Sequence, residues 1–272
     1  MPSIPLPPPD PQELLLPPDI SLVMPCYNEE AIVGQTIRRT LAAFRGAGHR
    51  LQLIAVDNGS HDRTGAIIQE YVDQGHPVIR VRVEQNQGYG FGILSGIPHC
   101  TAPWIGFIPA DSQVDAHETV HLFEEALACE EPVLAKARRR FRMDGFIRKV
   151  VSVTYNTLFR LLWPRIASFD INGLPKILHR DVVRRMGLTS KDWFLDPEIM
   201  IKSHYLGVRC IEYSVFARMR SRGLSHVNAG TCLNFFSGLV RYRFSSELSR
   251  WRQRAPVALP MTGEALGGRG LE

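Results

Sequence analysis

The sequence predicts an α/β protein with a mostly parallel sheet and helices on both of its faces. Short apolar runs at 20–24, 51–56, 78–83, 104–108 and 132–136 have the length of buried strands. A polar loop and then a helical pattern follow each of the first four runs. This alternation is typical of a parallel sheet with crossover helices. The 272 residues and the 44% apolar share suit one large domain, or one domain with an extension.

The composition of the chain indicates which kinds of binding partner and which cellular compartment to expect. The net charge of +5 favours anionic partners such as phosphates or an anionic membrane surface. The five cysteines are scattered and form no C-x-x-C pair, which predicts reduced thiols in a cytoplasmic protein, without a zinc site or disulfide framework. The sequence has neither a signal-peptide pattern nor an apolar run of transmembrane length, so we expect any membrane contact to be peripheral.

Changes in composition along the chain predict four segments. Clustered prolines make 1–18 an extended, disordered leader. Residues 19–230 form the α/β domain, and 231–254 form an amphipathic helix in which apolar residues stand among arginines. The segment 255–272 is predicted to be a disordered tail because of its Pro and Gly content.

The loop after the first strand reads P-C-Y-N-E-E and lies where open α/β sheets bind nucleotides. Tyr27 can stack on a base, Asn28 can form hydrogen bonds, and Glu29 can accept from ribose or base. Alternatively, Asn28 caps the following helix and the two glutamates complement its dipole, and both interpretations are compatible. After the second strand, Asp57 is a carboxylate that could contact a base or ribose.

Two further loops lack the spacing of common phosphate-binding motifs. The segment D-N-G-S-H-D-R-T-G does not fit G-x-x-x-x-G-K-[ST], and the glycines of N-Q-G-Y-G-F-G do not fit G-x-G-x-x-G. We still expect the second segment to bring backbone close to a ligand, because glycine has no side chain in the way.

The stretch I-P-A-D-S-Q-V-D ends the fourth strand. Asp111 and Gln113 alternate with small residues, so their oxygens can converge just beyond the strand end, where such sheets bind ligands. A hard divalent cation that also binds a diphosphate needs a few oxygen ligands of this kind. The alternative is an ordinary turn before a helix that begins near Asp115.

A basic segment at 138–149, R-R-R-F-R-M-D-G-F-I-R-K, interrupts the alternation and leads into an amphipathic helix over 146–163. We expect the arginines to bind phosphate, because they are denser than solubility requires. The helix fits a membrane surface and a core-packed helix with a solvated basic face equally well. Further along, Asp196 and Glu198 either line the active site or cap a helix.

Together these motifs resemble family 2 glycosyltransferases of the GT-A type, most of all the dolichol-phosphate mannosyltransferase-like branch, which transfers sugars to polyprenyl phosphates. The matching segments are V-M-P-C-Y-N-E-E, V-D-N-G-S-H-D-R-T, N-Q-G-Y-G-F-G, P-A-D-S-Q, R-R-x-F-R-M-D-G-F-I-R-K-V-V-S, I-N-G-L-P-K-I-L-H-R, D-P-E and R-S-R-G-L-S. The resemblance implies a GT-A, Rossmann-like fold. It also implies an inverting transfer from a GDP- or UDP-linked sugar to a polyprenyl phosphate at the cytosolic membrane face.

The resemblance also assigns roles to residues. Asp111 and Gln113 would bind Mg²⁺ or Mn²⁺, and Asp111 and Arg220 would be the catalytic residues. The metal and the arginine would stabilise the charge that develops on the leaving diphosphate. The donor would be held by Pro25, Tyr27, Asn28, Glu29, Asp57, Ala110 and Asp111, and the acceptor phosphate by Arg139, Arg142, Arg148 and Ser152.

Three positions depart from the family pattern. Pro109 stands where the first Asp of the family's D-x-D belongs, so metal binding loses one carboxylate. Asn58 replaces the second Asp of V-D-D-G-S, which removes a charge near the nucleotide. His226 replaces the lysine of a late S-K pair. These changes concern the donor and the metal more than the fold.

Three functions compete at this level, and the third belongs to a different class from the first two. The first is a metal-dependent glycosyltransferase that acts on a polyprenyl phosphate at a membrane. The second has the same chemistry with a soluble metabolite or saccharide as acceptor, and the third is a catalytically silent binding protein. We do not expect a nucleic-acid partner, because the arginines cluster at one loop instead of alternating with aromatic residues along a stripe.

Overall fold

A computed structural model describes residues 6–7, 15–139, 146–166, 168–216 and 229–254. Their strands form one seven-stranded sheet, in the order β3-β2-β1-β4-β6-β5-β7. The strands are β1 Ile20–Cys26, β2 Leu51–Asn58, β3 Val78–Val83, β4 Trp104–Phe107, β5 Val133–Arg139, β6 Lys176–His179 and β7 Arg209–Val215.

The predicted mostly parallel sheet is confirmed. Strands β1, β2, β3 and β4 pair in parallel, as do β5 and β7. Only β6 runs the other way, antiparallel to both β4 and β5. The carboxyl ends of β4 and β5 therefore lie at the same sheet edge as the first residue of β6.

The described helices cover both faces of the sheet, as predicted. They are α1 Val33–Gly46, α2 Thr64–Asp73, α3 Tyr89–Gly96, α4 Ala116–Leu127, α5 Phe146–Leu162, α6 Arg180–Met186, α7 Leu195–Tyr205, α8 Ala229–Phe244 and α9 Ser246–Arg254, with a 3₁₀ turn at Ile97–His99. The single helix predicted over 231–254 is wrong in one respect: Ser245 divides it into α8 and α9. Most of the predicted leader 1–18 and the whole predicted tail 255–272 lie outside the described residues.

Two hydrophobic cores flank the sheet, because successive strand residues point to opposite faces. On β2, Leu53 and Ala55 belong to the core formed with α1, α2 and α4. Ile54 and Val56 belong to the other core, which α3 and the later helices complete. Four of the five cysteines are described with their side chains, and all four are free thiols.

Gly106 lies in the middle of the sheet, on β4, where there is no room for a side chain. A Cβ atom at this position would overlap the Leu22 side chain and press on Ile177. Leu22 is fully buried, so it cannot move into solvent.

We predict that Gly106→Ala lowers the free energy of unfolding by about 1–3 kcal/mol, the usual cost of overpacking a core. Urea unfolding would measure it. Gly46→Ala is the matched control, because nothing lies within 4 Å of a Cβ atom there. In a helix this control should be neutral or stabilising by up to roughly 1 kcal/mol. Equal effects of the two substitutions would contradict the packing argument.

Candidate active site at the carboxyl edge of the sheet

The loop that carries Asp111 is fixed by hydrogen bonds to α1. Thr36 donates from Oγ1 to the Ala110 carbonyl at 2.7 Å, and its hydroxyl lies 2.6 Å from Ser112 Oγ. Ser112 adopts the left-handed conformation, with φ +53°. The Gln113 amide N donates to Asp111 Oδ1 at 3.1 Å. The loop is therefore a defined turn, and the mostly buried Asp111 carboxylate projects from the end of β4.

The donor set for a cation at this turn is small. No group of three or more His, Cys, Asp or Glu residues that could hold a metal occurs in the described part of the chain. Asp111 and Gln113 would supply one carboxylate and one amide oxygen. This set fits a hard cation such as Mg²⁺ or Mn²⁺ only if phosphate oxygens and water complete its coordination. It therefore fits a cation that binds together with a diphosphate.

The loop after β1 is joined to the loop after β2. Asn28, with φ +54°, accepts the His61 N–H at its side-chain oxygen at 2.9 Å. The Glu29 N–H donates to Thr64 Oγ1 at 2.8 Å. The interpretation of Asn28 as a helix cap is wrong, because α1 begins only at Val33. Its predicted contact with the donor stays a prediction, and its side chain already holds the two loops together.

Asp62 and Glu30 add further hydrogen bonds between the loop after β1 and the loop after β2. The Glu30 N–H donates to Asp62 Oδ2 at 3.1 Å, and the Arg63 N–H donates to Glu30 Oε2 at 3.0 Å. Asp62 Oδ1 also accepts the Thr64 N–H at 2.9 Å. Partial burial would raise the pKa of Asp62, but hydrogen bonds from Thr64 and from the Glu30 backbone lower it below its ordinary value.

Asp57 is buried at the end of β2 and bound on both oxygens. Arg80 Nη2 on β3 donates to Oδ2 at 3.0 Å, and the Ser60 N–H donates to Oδ1 at 3.1 Å. The pair borders a cavity of about 240 Å³ that Arg82 and Glu84 also line. A base or ribose in this cavity would meet a carboxylate and a guanidinium together. Asp57 was predicted from the sequence but Arg80 was not, because nothing in the pattern of a strand marks a residue as the partner of a distant carboxylate.

The glycine-rich segment before α3 packs against protein backbone. A Cβ atom on Gly90 would overlap the Ser190 carbonyl oxygen and lie 2.6 Å from that of Asp192. The Phe91 N–H donates to the Lys191 carbonyl at 2.7 Å. The expected close approach is therefore present, but its partner is the loop at 190–192.

Arg139, the last residue of β5, is held by Asp170. Its Nε and Nη2 donate to the two carboxylate oxygens at 2.8 and 2.9 Å, and Nη2 also reaches the Asn172 carbonyl at 2.8 Å. Burial alone would lower the pKa of Arg139, but Asp170 and, further away, Asp196 and Asp111 raise it above its ordinary value. Two of its three guanidinium nitrogens are thus engaged before any phosphate arrives.

Asp196 does not cap a helix. Its Oδ1 accepts from Lys176 Nζ at 2.5 Å, and Lys176 also donates to the Gly173 carbonyl. Burial lowers the pKa of Lys176 to about 8, although Asp196 opposes this effect. Lys176 was not predicted as a site residue, although a lysine in an otherwise apolar strand is the signal that could have identified it.

Glu198 also has a role other than capping. It accepts the N–H groups of Thr189 and Ser190 and forms an ion pair with Lys202. It therefore anchors the loop that supports the glycine-rich segment. Of the alternatives for the two acids, only Asp196 remains as a residue of the sheet edge.

For the remaining predicted site residues the structure gives only their burial, one packing contact or the element to which they belong. Pro25 packs against Gly92, and Tyr27 is partly exposed beside it in sequence. Ala110 is buried under the Asp111 turn. Arg148 and Ser152 belong to α5, and Arg142 and Arg220 lie outside the described residues. The roles of these four in binding or catalysis stay predictions.

The connection between the first two loops should depend on pH through Asp62. We predict that Asp62→Ala lowers the free energy of unfolding at pH 7 by about 1 kcal/mol, as for loss of a capping carboxylate. Because the folded state lowers its pKa, the contribution is complete above the ordinary pKa of aspartate and is lost as pH falls through the folded-state value. Urea unfolding of both proteins at pH 7, 5 and 3 would measure it.

Asp62→Asn is the control for this prediction. Its single amide oxygen can accept only part of the bonds, so its stability should fall between those of the other two proteins. A difference between wild type and Asp62→Ala that stays constant from pH 7 to pH 3 would contradict the ionic contribution.

Relatives by sequence include undecaprenyl-phosphate 4-deoxy-4-formamido-L-arabinose transferases. The protein of that name from Pectobacterium atrosepticum is 33% identical over 143 residues, which are 52% of this chain and 43% of the relative. The one from Pectobacterium carotovorum is 34% identical over the same length and coverage. The match thus spans less than half of the length of these relatives.

Solved structures with the same fold include glucosyl-3-phosphoglycerate synthase from Mycobacterium tuberculosis, in complex with Mn²⁺, uridine diphosphate and glucosyl-3-phosphoglycerate. Its TM-score is 0.65 at 18% identity, over 83% of this chain and 80% of that chain. A second structure of the same enzyme, with Mg²⁺ and uridine diphosphate, has a TM-score of 0.66 at 18% identity, over 83% and 79% of the two chains. These likenesses confirm the predicted GT-A fold.

The family comparison agrees with the geometry of the site. The sequence model described as glycosyl transferase family 2 matches residues 21–195, well over half of the chain. The matched range includes the loops after β1, β2 and β4, together with Arg139, Asp170 and Lys176. The chain therefore belongs to glycosyl transferase family 2.

Proposed function

We propose that this chain is an inverting glycosyltransferase that moves a sugar from a nucleotide-sugar donor to a polyprenyl phosphate at a membrane surface. One observation carries the proposal: Asp111 and Arg139 lie at the same sheet edge, close enough for the carboxylate to raise the pKa of the guanidinium. A metal-bound diphosphate next to Asp111 and a phosphate acceptor on the side of Arg139 would fit this edge. The undecaprenyl-phosphate transferases among the relatives support the acceptor class.

The proposed reaction is a direct displacement at the anomeric carbon. The acceptor phosphate is already ionised at neutral pH, so the chain needs no strong general base. Its residues would hold the two substrates in line, with Pro25, Tyr27, Asn28, Glu29, Asp57 and Ala110 around the nucleotide. When bound, Mg²⁺ or Mn²⁺ at Asp111 and Gln113 would neutralise the charge on the leaving diphosphate.

Four arginines and a serine would hold the acceptor phosphate or the leaving group. Because Asp170 engages two nitrogens of Arg139, we assign Arg139 a share of the binding and give the larger part to Arg142, Arg148 and Ser152. Guanidinium groups bind phosphate oxygens in pairs, which suits this role. Arg220 would stabilise the leaving diphosphate. A neutral acceptor would give this group of cations nothing to hold.

A set of exposed apolar side chains supports membrane contact. We call it the docking surface and define it by Val153, Leu161, Phe169, Phe216, Val240 and Phe244, all exposed. Arg243 Nε donates to the Leu162 carbonyl, which brings the ends of α5 and α8 together. Arg138 lies 4.0 Å over the Phe169 ring, with Arg160 at 6.0 Å. Apolar side chains among arginines suit an anionic bilayer surface.

None of the described helices has the length and hydropathy needed to cross a membrane. Our proposal places peripheral contact with the cytosolic membrane face at the docking surface. A soluble acceptor is the second candidate, and the structural likeness to a synthase crystallised with phosphoglyceric acid favours it. Vesicle binding separates the two, because a soluble acceptor gives the docking surface no function.

We predict that UDP or GDP binds in a way that depends on Mn²⁺, and that Asp111→Ala weakens this binding roughly tenfold or more, since a charged contact contributes on the order of 1.5–3 kcal/mol. Calorimetric titration of each nucleotide, with and without Mn²⁺, would measure it. Glu118→Gln on α4 removes a charge nearby and should leave binding intact. Absence of binding for both nucleotides under every metal condition would favour a silent relative, with Pro109 as the first cause to examine.

We predict that the protein binds vesicles of phosphatidylglycerol and phosphatidylcholine, and that Leu161→Ser with Phe244→Ser weakens the binding at least tenfold. Each apolar side chain contributes about 1–2 kcal/mol when it enters the bilayer interface. Sedimentation with vesicles would measure it.

Leu127→Ser is the matched control for the docking surface, because Leu127 is an exposed leucine at the end of α4. It should not change vesicle binding. Equal binding of the double variant and the wild type would instead favour the soluble acceptor.

A further inference from the structure

Tyr89 is fixed by neighbours that use only its ring. It is the first residue of α3, and its ring stacks on Trp193, with 4.6 Å between centroids and 9° between planes. The loop that carries Trp193 is held to α3 by the bond from Phe91 N to the Lys191 carbonyl and is anchored by Glu198. A phenylalanine would stack equally well, so none of these contacts explains the hydroxyl.

The hydroxyl of Tyr89 is buried and has no hydrogen-bond partner among the residues that the structure describes. Burial, and then the nearby Asp196 carboxylate, raise the pKa of Tyr89 well above its ordinary value. Asp196 therefore lies close to the Tyr89 hydroxyl, although the structure shows no hydrogen bond of normal geometry between them. A ligand group that supplied the missing hydrogen bond would remove the cost of burying an unpaired hydroxyl at this position.

Asp196 is prepared to accept a second hydrogen bond. Lys176 Nζ occupies Oδ1 and fixes the carboxylate at the first residue of β6, opposite Phe107 at the end of β4. Asp111 follows four residues after Phe107, and both Asp196 and Asp111 act on the pKa of Arg139. A donor phenol and an acceptor carboxylate therefore face each other beside the turn that would hold the diphosphate.

We propose that Tyr89 and Asp196 bind one hydroxyl group of the donor's sugar, with the Tyr89 O–H donating to that hydroxyl and Asp196 accepting from it. A sugar hydroxyl is both donor and acceptor, so one group satisfies both side chains. The pair would then contribute to binding of the donor's sugar and not to binding of its nucleotide. This inference rests on the proposed function, because it assumes a nucleotide sugar at this edge.

The test compares Tyr89→Phe with wild type in calorimetric titrations with Mn²⁺, using UDP, UDP-glucose, GDP and GDP-mannose. We compare the free diphosphate and the nucleotide sugar of whichever nucleotide the wild type binds. Tyr89→Phe should bind the free diphosphate with unchanged affinity. Its affinity for the nucleotide sugar should fall roughly three- to tenfold, which corresponds to the loss of one hydrogen bond. Its melting temperature should stay level or rise, because an unpaired buried hydroxyl has been removed.

Tyr242→Phe is the matched control. Tyr242 on α8 is also buried, with an unpartnered hydroxyl and a pKa raised by burial and by Glu198 and Glu247, but its ring packs on Phe194. It should change neither affinity. If Tyr89→Phe loses affinity for the diphosphate and the nucleotide sugar equally, or for neither, the inference is overturned. The proposed donor site itself would still stand. If wild type binds none of the four compounds, the proposed function and this inference both fail.

Discussion

Two lysines lie opposite each other inside the sheet, and much of the site depends on how their charges are balanced. Lys136 on β5 pairs in register with Lys176 on β6, and both are completely buried. Like charges facing each other across a ladder destabilise it unless carboxylates approach. Glu212 on β7 supplies one, at 3.0 Å from Lys136 Nζ, and Asp196 on α7 supplies the other.

The ion pair with Lys176 fixes the position of helix α7, and α7 in turn fixes the position of the loop that precedes it. Asp196 and Glu198 are two residues apart in its first turn, so they point to opposite sides of the helix and contact different neighbours. Asp196 meets Lys176 in the sheet, whereas Glu198 holds the backbone of Thr189 and Ser190. The loop held in this way supports the glycine-rich segment, which reaches back to β1 through Gly92 and Pro25. A charge pair in the sheet thus fixes the position of a loop next to β1, on the side where we propose that the nucleotide binds.

The sequence predicted the layers of this fold but not its charge pairs. Strand and helix patterns are local, since apolar residues at spacing two or near four show which face is buried. The bounds of β1 to β4 were therefore within reach. The pair of Lys136 with Glu212 joins residues 76 positions apart, and no pattern in either segment announces the other.

The same limit explains the site residues. Asp111 could be named because its turn follows a strand directly, and Asn28 could be named but not its bond to His61. Arg139 was expected to be available to phosphate, whereas Asp170, 31 positions away, engages two of its nitrogens. Sequence spacing shows which groups reach the edge of the sheet, and only the packed structure shows which of them are already paired.

The formal charges at the sheet edge suggest a consequence of having Pro109 in place of an aspartate. Asp111, Asp170 and Asp196 stand against Arg139 and Lys176, which leaves one excess negative charge. A divalent cation at Asp111 would reverse this to one net positive charge, and the edge would then attract a diphosphate. A second aspartate in place of Pro109 would bind the cation more tightly but would leave the loaded edge neutral. If the proposed metal site is occupied, the proline would give up some affinity for the metal alone. It would leave the metal-loaded edge attractive to the diphosphate, so that binding of the cation and binding of the donor would be coupled.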